Sequence, residues 1–171
     1  PNICEGQAVS PDVYMEDCLA PILSTEWTFE QGSPASSSSA NPGSVTYNTA
    51  GTWDVSIDVT NACGTVTDGT TVTVEPAPIV NIVSSLGLDI CAGQSTVLTA
   101  GGAVTYTWNA GTLSTTNGPV TTATPGGLTT YTVTGYSSAG CPGTQTITID
   151  VNTLPTVAPS AVFEICAGDD V

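Results

Sequence analysis

The chain has 171 residues, of which 15 are acidic and none is Lys, Arg or His, so its formal net charge is -15. Without cationic side chains the chain cannot neutralise phosphate groups, which excludes nucleic-acid binding and docking on anionic lipid. The absence of His and Lys also removes the Ser-His-Asp triad and the Schiff-base lysine, so the composition predicts a protein that is not an enzyme. The 40% apolar content is enough for a folded core.

Short runs of alternating apolar and polar residues follow one another along the chain, and this period of two predicts β-strands. The clearest run is Thr52–Thr60, where Trp53, Val55 and Ile57 alternate with polar residues. The runs TVTVE, VTYTW, TYTVTGY and TQTITIDV are similar, and Gly, Pro, Asn and Ser separate them. No stretch reaches the roughly 18 apolar residues of a membrane helix. The sequence therefore predicts an all-β protein of sandwich type with no insertion into a membrane.

The sequence contains two copies of one unit and the beginning of a third. A cysteine at a glycine corner, I-C-[EA]-G-[QD], begins each copy, at Cys4, Cys91 and Cys166. Matching the two longer copies pairs residues of similar type: Trp27 with Trp108, Trp53 with Tyr131, and Cys63 with Cys141. The repeat predicts a first domain over residues 1–75 without its N-terminal strand, a second over residues 76–152, and the start of a third over residues 153–171. We therefore expect a segment of a longer exported polypeptide.

Each of the two units resembles a known class of extracellular module. The stretch WTFEQGSPASSSSANPGSVTYNTAGTWDVSIDVTNACG resembles a PKD domain, whose signature is close to W-D-F-G-D-G…N-P…Y…G-T-Y-x-V-x-L. The second unit, ICAGQSTVLTAGGAVTYTWNAG…TYTVTGYSSAGC, resembles the Ig-like repeats of large Bacteroidota surface adhesins of the gliding-motility type, exported by type IX secretion. The resemblance implies tandem PKD-like and Ig-like antiparallel β-sandwiches at the cell surface. Thr28 and Gln31 replace two acidic residues of the PKD signature, so no metal role is carried over to that loop.

Six cysteines in an exported β protein predict disulfide bonds. In an Ig-like unit Cys4 and Cys91 lie at the corner between strands A and B, whereas Cys63 and Cys141 lie in the F–G turn at the opposite end. A strand of about six residues separates those ends by roughly 20 Å. The Cα atoms of a disulfide lie within about 7 Å of each other. A bond between the two ends of one unit is therefore disfavoured.

Two pairing schemes follow from these positions. The staggered scheme has Cys18–Cys63 within the first domain and Cys4–Cys141 between the domains, with Cys91 and Cys166 bonded to domains outside the sequence. The alternative is bonding inside each repeat, Cys4–Cys63 and Cys91–Cys141. Either scheme stabilises by restricting the unfolded chain.

Aromatic residues are the first candidates for a binding site. Sugar-stacking platforms are one interpretation, but an Ig-like fold buries the tryptophan of strand C and the inward residues of strand F. The residues predicted to form the core are Trp27, Trp53, Trp108 and Tyr131. The better exposed candidates are Tyr14, Tyr106 and Tyr136.

Acidic residues are the second candidates. Ca²⁺ needs six to eight oxygen ligands, and no D-x-D-x-D-G loop is present, so no metal site and no cofactor are predicted. The net charge nevertheless favours diffuse, weak association of Ca²⁺. The spacing of Glu26 and Glu30 imitates a glycosidase acid/base pair, but no cleft is predicted there. The remaining acidic groups are Glu16 with Asp17, Asp54 with Asp58, and Asp169 with Asp170.

These features predict a structural stalk or filament segment of a long, repetitive extracellular adhesin, stiffened by disulfides. Its expected partners are neighbouring repeats of the same chain and the secretion or motility machinery. The alternative is a set of carbohydrate-binding accessory modules of a secreted multidomain protein, with surface polysaccharide as the partner. A third possibility is a subunit that polymerises by strand exchange.

Overall fold

The computed structural model describes residues 1–14, 20–109 and 111–156. Within these ranges all helical or extended secondary structure is β-strand, and the strands form four sheets. The first half of the chain contains β1 (Asn2–Cys4), β2 (Gln7–Val9), β3 (Ile22–Phe29), β4 (Gly32–Ser33), β5 (Ser36–Ser37), β6 (Val45–Tyr47), β7 (Gly51–Asn61) and β8 (Gly64–Glu75). The second half contains β9 (Asn81–Ser84), β10 (Asp89–Cys91), β11 (Thr96–Gly101), β12 (Thr105–Asn109), β13 (Val120–Ala123), β14 (Thr129–Tyr136) and β15 (Pro142–Asn152).

The first sandwich consists of a five-stranded sheet, β1-β8-β7-β3-β5, and a three-stranded sheet, β2-β6-β4. Alternate residues of each strand point to the other sheet, as the period of two requires. The two sheets share one buried core, which consists of Trp27, Phe29, Val45, Tyr47, Val55, Ile57, Val72 and Val74.

The second sandwich repeats this plan with the sheets β10-β15-β14-β12 and β13-β11-β9. Its core is separate from the first one and consists of Val80, Ile90, Leu98, Ala100, Tyr106, Trp108, Ala123, Tyr131, Val133 and Ile149. The predicted all-β class built from two successive sandwiches is therefore confirmed.

Each sandwich contains one parallel strand pair, which the prediction of purely antiparallel sheets did not include. β1 runs parallel to β8 and β10 runs parallel to β15, and the pairs place Cys4 opposite Glu75 and Cys91 opposite Asn152. In each unit the strand that leads into the cysteine corner therefore lies beside the last strand and runs in the same direction. The cysteine corner consequently lies at the end from which the chain leaves the unit.

The register of the β3–β7 and β12–β14 pairs corrects the predicted match between the two repeats. Trp27 lies opposite Ile57, and Trp108 lies opposite Val133. Ile57 therefore corresponds to Val133, so the residue that corresponds to Tyr131 is Val55. The predicted match of Trp53 with Tyr131 is wrong by two residues.

Trp53 consequently lies outside the fully buried core to which it was assigned. It is half-buried against the edge of the first core, and its indole N–H donates to the Thr49 carbonyl oxygen at 2.9 Å. Two residues along a strand return to the same face, so alternation alone could not distinguish Trp53 from Val55.

The described residues contain no helix that is long and apolar enough to cross a membrane.

Candidate functional site: the junction between the sandwiches

A disulfide bond joins the two sandwiches. Cys4 is the last residue of β1, and Cys141 immediately precedes β15. Their sulfur atoms are bonded, and their Cα atoms are 5.4 Å apart, which lies in the usual range for a disulfide. The bond connects the corner that follows the first strand of one unit to the turn that precedes the last strand of the next.

The cysteine corner is built by its own short motif. The Cys4 N–H donates to the Gln7 side-chain oxygen at 2.9 Å, and Gly6 between them has a φ of +79°. The second unit has the same arrangement, because the Cys91 N–H donates to the Gln94 side-chain oxygen at 2.8 Å. A left-handed backbone favours glycine, which explains the C-x-G-Q spacing in both repeats.

The partner cysteine is held by a tight turn between β14 and β15. The Cys141 N–H donates to the Ser137 hydroxyl oxygen at 3.1 Å, and the Ser137 N–H donates to the Cys141 carbonyl oxygen at 2.9 Å. The Gly140 N–H also donates to the Ser137 carbonyl oxygen. Cys141 is fully buried. These bonds fix the direction of the Cys141 side chain toward the first sandwich.

The polypeptide itself forms a second connection beside the disulfide. Glu75 ends β8 directly opposite Cys4, and the Glu5 N–H donates to the Glu75 carbonyl oxygen at 3.1 Å. The Glu5 carboxylate then accepts the N–H groups of Ala50 at 3.0 Å and of Ala77 at 3.4 Å. One glutamate therefore ties the linker that leaves the first unit back to that unit.

A shallow cavity of about 210 Å³ lies at this junction, between β1 and the Ala139–Cys141 turn. Both sandwiches contribute to its walls. Its small volume, below the roughly 300 Å³ at which ligand pockets begin, indicates a gap between packed units rather than a binding site.

The other cysteines bear on the remaining disulfide predictions. Cys63 and Cys91 are exposed and have no disulfide partner among the described residues. Because Cys4 is bonded to Cys141, the repeat-internal pairs Cys4–Cys63 and Cys91–Cys141 are wrong. Cys18 and Cys166 lie outside the described residues, so the bond Cys18–Cys63 and the external partners of Cys91 and Cys166 stay predictions.

The structure places Trp27, Trp108 and Tyr131 inside the two cores, each less than 5% exposed. The Trp108 indole N–H donates to the Gly118 carbonyl oxygen at 2.9 Å, and the Tyr131 hydroxyl is 2.7 Å from the Thr112 hydroxyl. The indole nitrogen of Trp27 is buried without a hydrogen-bond partner. None of the three rings is available for stacking on a sugar.

Among the predicted exposed tyrosines, only Tyr14 is largely exposed, at 88%. Tyr136 is half-buried. The expectation for Tyr106 is wrong, because its ring is buried and its hydroxyl both donates to the Ala103 carbonyl oxygen and accepts the Ala103 N–H. A single exposed tyrosine does not form a stacking platform.

The acidic candidates do not converge. Within the described part of the chain no group of three metal-ligating side chains comes together. Glu30 accepts the Asp54 N–H at 3.2 Å, and Asp58 accepts the Thr67 hydroxyl. Glu26 lies directly opposite Asp58 on the neighbouring strand, with both side chains exposed. The other acidic candidates, Glu16, Asp17, Asp169 and Asp170, lie outside the described residues.

Comparison with known proteins assigns the first unit to a module class. Residues 5–74 match the family described as PKD domain. No curated protein matches the chain. Solved structures with similarity include the fibronectin(III)-like modules of CbhA from Clostridium thermocellum, at 12% identity over 89% of this chain and 89% of that chain with a TM-score of 0.38.

Two further structures are similar at the same level. The amphioxus IgVJ-C2 molecule is 14% identical over 88% of this chain and 99% of that chain, with a TM-score of 0.36. A C-terminal 282-residue fragment of intimin, solved in complex with the intimin-binding domain of the translocated intimin receptor, is 21% identical over 76% of this chain and 53% of that chain, with a TM-score of 0.43.

The PKD match covers less than half of the chain, and it shows that the first sandwich is similar to a PKD domain. The PKD match together with the disulfide indicates an extracellular domain, because disulfides persist in oxidising compartments.

Proposed function

We propose that this chain is a load-bearing stalk segment of a long, repetitive surface adhesin, in which disulfides keep tension off the folded units. The observation that carries the proposal is the Cys4–Cys141 bond between the sandwiches. Attachment to the cell surface, type IX export and the motility machinery as partner belong to this proposal and derive from the resemblance of the repeats.

The bond provides a short covalent path along the chain. Tension applied ahead of Pro1 reaches Cys4 within β1, crosses the disulfide to Cys141, and continues along β15 to Asn152. Residues 5–140, which include most of both cores, lie outside this path. A stalk built in this way transmits force without requiring that any sandwich resist unfolding.

The same corner in the second unit extends the proposal. Cys91 is exposed, lies opposite the last residue of its own unit, and has the same glutamine-bonded corner as Cys4. We expect Cys91 to bond the F–G turn of a following domain, as Cys4 does here. Cys166 begins the third copy and would continue the series.

Single-molecule stretching between the two chain ends tests the proposal. The oxidised chain should show no lengthening step as large as one sandwich. After reduction, release of residues 5–140 should add up to about 450 Å of contour length, since an extended residue spans about 3.4 Å.

The matched controls change one cysteine at a time. Cys91→Ser should behave as the unmodified chain because Cys91 has no partner among the described residues. Cys4→Ser should lengthen without reductant. A full unfolding step of either sandwich in the oxidised, unmodified chain would contradict the proposal.

The carbohydrate-binding alternative predicts retention on polysaccharide. The buried rings of Trp27, Trp108 and Tyr131 cannot stack on a sugar, so they do not support this alternative. A glycan array probed with the whole chain separates the two functions, because a stalk segment should bind none of the glycans above background.

A further inference from the structure

The two sandwiches differ at one sheet edge. In the second unit β11 lies between two partners, β13 on one side and β9 on the other. In the first unit the corresponding strand β2 pairs with β6 on one side only. Among the described residues nothing takes the place of β9 beside β2.

Hydrogen bonds at the parallel strand pairs align the two units residue by residue. The Thr73 N–H donates to the Pro1 carbonyl oxygen at 2.9 Å, and the Asp150 N–H donates to the Leu88 carbonyl oxygen at 2.7 Å. Pro1 therefore occupies the position of Leu88. By the same alignment Val66 on β8 corresponds to Gly143 on β15.

In the second unit the segment from Pro78 to Ser84 closes the sandwich. A β-carbon added at Gly143 would collide with the Pro78 carbonyl oxygen, and one added at Gly135 would lie 2.7 Å from a methyl group of Val80. Val80 is buried in the core, and Ile82 packs against it. This segment therefore seals the side of the sandwich between β11 and β15.

The first unit has an open groove along the same course. One part, of about 280 Å³, reaches from Pro1 to Thr70 and has Trp27 at its base. A second part, of about 450 Å³, continues to Val66, which is 70% exposed. The two parts share three lining residues, Val13, Ile57 and Asp68, so they form one continuous groove.

Residues along the groove are less buried than their counterparts. Val9 and Val13 are half-buried, whereas the corresponding Thr96 and Ala100 of β11 are buried. The groove therefore exposes part of the apolar core that the second unit covers. Apolar surface of this kind gains free energy when it is removed from water.

We propose that this groove binds an extended β-strand, delivered by polypeptide that immediately precedes Pro1, with apolar side chains at alternate positions as in Pro78–Ser84. The position of Pro1 supports attachment in the same chain, because Leu88 follows β9 through a short link at the same point. Val66 of β8 stands where β15 has Gly143, and its side chain would not allow so close an approach. The added strand therefore lies farther from β8 at that end than the segment ahead of β9 lies from β15. The first sandwich is thus completed by a segment outside the residues that match the PKD family.

The chain supplies its own probe for this proposal. A copy of residues 78–87 is placed directly ahead of Pro1 in the whole chain, which restores the spacing between Pro78 and Leu88. The melting temperature of the first sandwich should rise by at least about 5 °C, the size of shift that follows from about 1 kcal/mol in a domain of this length. Amide hydrogen exchange at Ser10–Tyr14 should slow at least tenfold.

The matched control carries Asp in place of both Val80 and Ile82 within the added copy only, and it should show neither effect. Equal melting temperatures and equal exchange for the two extended chains would overturn the proposal. A rise in stability that depends on protein concentration, with dimers in light scattering, would also overturn it, because the strand would then come from another molecule.

A second measurement does not depend on the extended chain. The synthetic peptide PIVNIVSS, titrated into the unmodified chain, should slow amide exchange at Ser10–Tyr14 and leave the exchange of β11 unchanged. Protection of β11 instead, or of neither strand, would contradict the proposal.

Discussion

Cys4 and Cys141 are 137 positions apart in the sequence and belong to different sandwiches, yet their Cα atoms lie 5.4 Å apart. Two folded units bring them together, because β1 ends where the linker leaves the first unit and the β14–β15 turn of the second unit faces that point. The bond can therefore form only when both units are folded and their facing ends lie together.

Replacing Cys141 with Ser should lower the free energy of unfolding by about 4 kcal/mol, because the lost bond closes a very long loop in the unfolded chain. Denaturant titration in the absence of reductant measures the change. Cys91→Ser is the matched control, because Cys91 is exposed and has no disulfide partner among the described residues. If it lowered stability as much as Cys141→Ser, the role assigned to the junction would be wrong.

The two fully buried tyrosines should respond oppositely to loss of the hydroxyl. The Tyr47 hydroxyl is buried without a hydrogen-bond partner, so Tyr47→Phe should leave stability unchanged or raise it by about 1 kcal/mol. Tyr131→Phe removes the bond to Thr112 and should lower stability by about 1 kcal/mol. Thermal melting of both variants decides, and a loss for Tyr47→Phe as large as that for Tyr131→Phe would contradict the assignment.

Stability at high pH should depend on Tyr47. Burial raises the pKa of Tyr47 above its ordinary value of 10.0, because the folded protein disfavours the phenolate. Below pH 10 the phenol is protonated in both states, and above pH 10 it ionises first in the unfolded chain. The stability that Tyr47 contributes is therefore lost as the pH rises from 10 through the raised pKa. Melting temperatures between pH 9 and 11 should fall less steeply for Tyr47→Phe than for the unmodified chain.

Charge repulsion on the outer face of the first sandwich should be measurable at one strand pair. Glu26 lies directly opposite Asp58, and no Lys, Arg or His in the chain can offset either charge. Glu26→Gln should therefore raise stability by about 0.5 kcal/mol at low salt. Because salt screens exposed charges, the gain should shrink in 1 M NaCl. An equal gain at both salt concentrations would point to a cause other than charge.

The seal over the second sandwich should be sensitive to one added methyl group. Gly143→Ala places a β-carbon against the Pro78 carbonyl oxygen, so the segment ahead of β9 must move, and stability should fall by about 1–3 kcal/mol. Gly111→Ala is the control, because a β-carbon there meets no atom within 4 Å. Denaturant titration should show no loss for the control, and equal losses would mean that the close approach is not needed.

Much of the fold could be predicted because alternation with period two identifies both the strands and their inward faces. The assignment of Trp27 and Trp108 to one strand position depended only on this pattern and on their similar surroundings. The pairing of Cys4 with Cys141 could also be predicted from the sequence. It requires knowing only at which end of its unit each cysteine lies.

Other features depend on neighbours that alternation does not identify. The parallel pairing of β1 with β8 joins residues some 70 positions apart, and nothing in either strand specifies direction. The burial of Tyr106 depends on the Ala103 backbone, which supplies both partners of its hydroxyl. The contribution of Glu5 to the junction could not be predicted, because its carboxylate accepts the backbone N–H groups of Ala50 and Ala77, and the residue types at those positions do not indicate such bonds.

The long separation between Cys4 and Cys141 also has a consequence for biogenesis. Synthesis proceeds from the N-terminus, so Cys4 is made 137 positions before its partner Cys141. Cys18, Cys63 and Cys91 are all made before Cys141, and oxidation at that stage would pair Cys4 with one of them. Unless thiol–disulfide exchange later corrects such a bond, both sandwiches must fold while their thiols are still reduced, and the Cys4–Cys141 bond then forms only after folding has brought the two residues together.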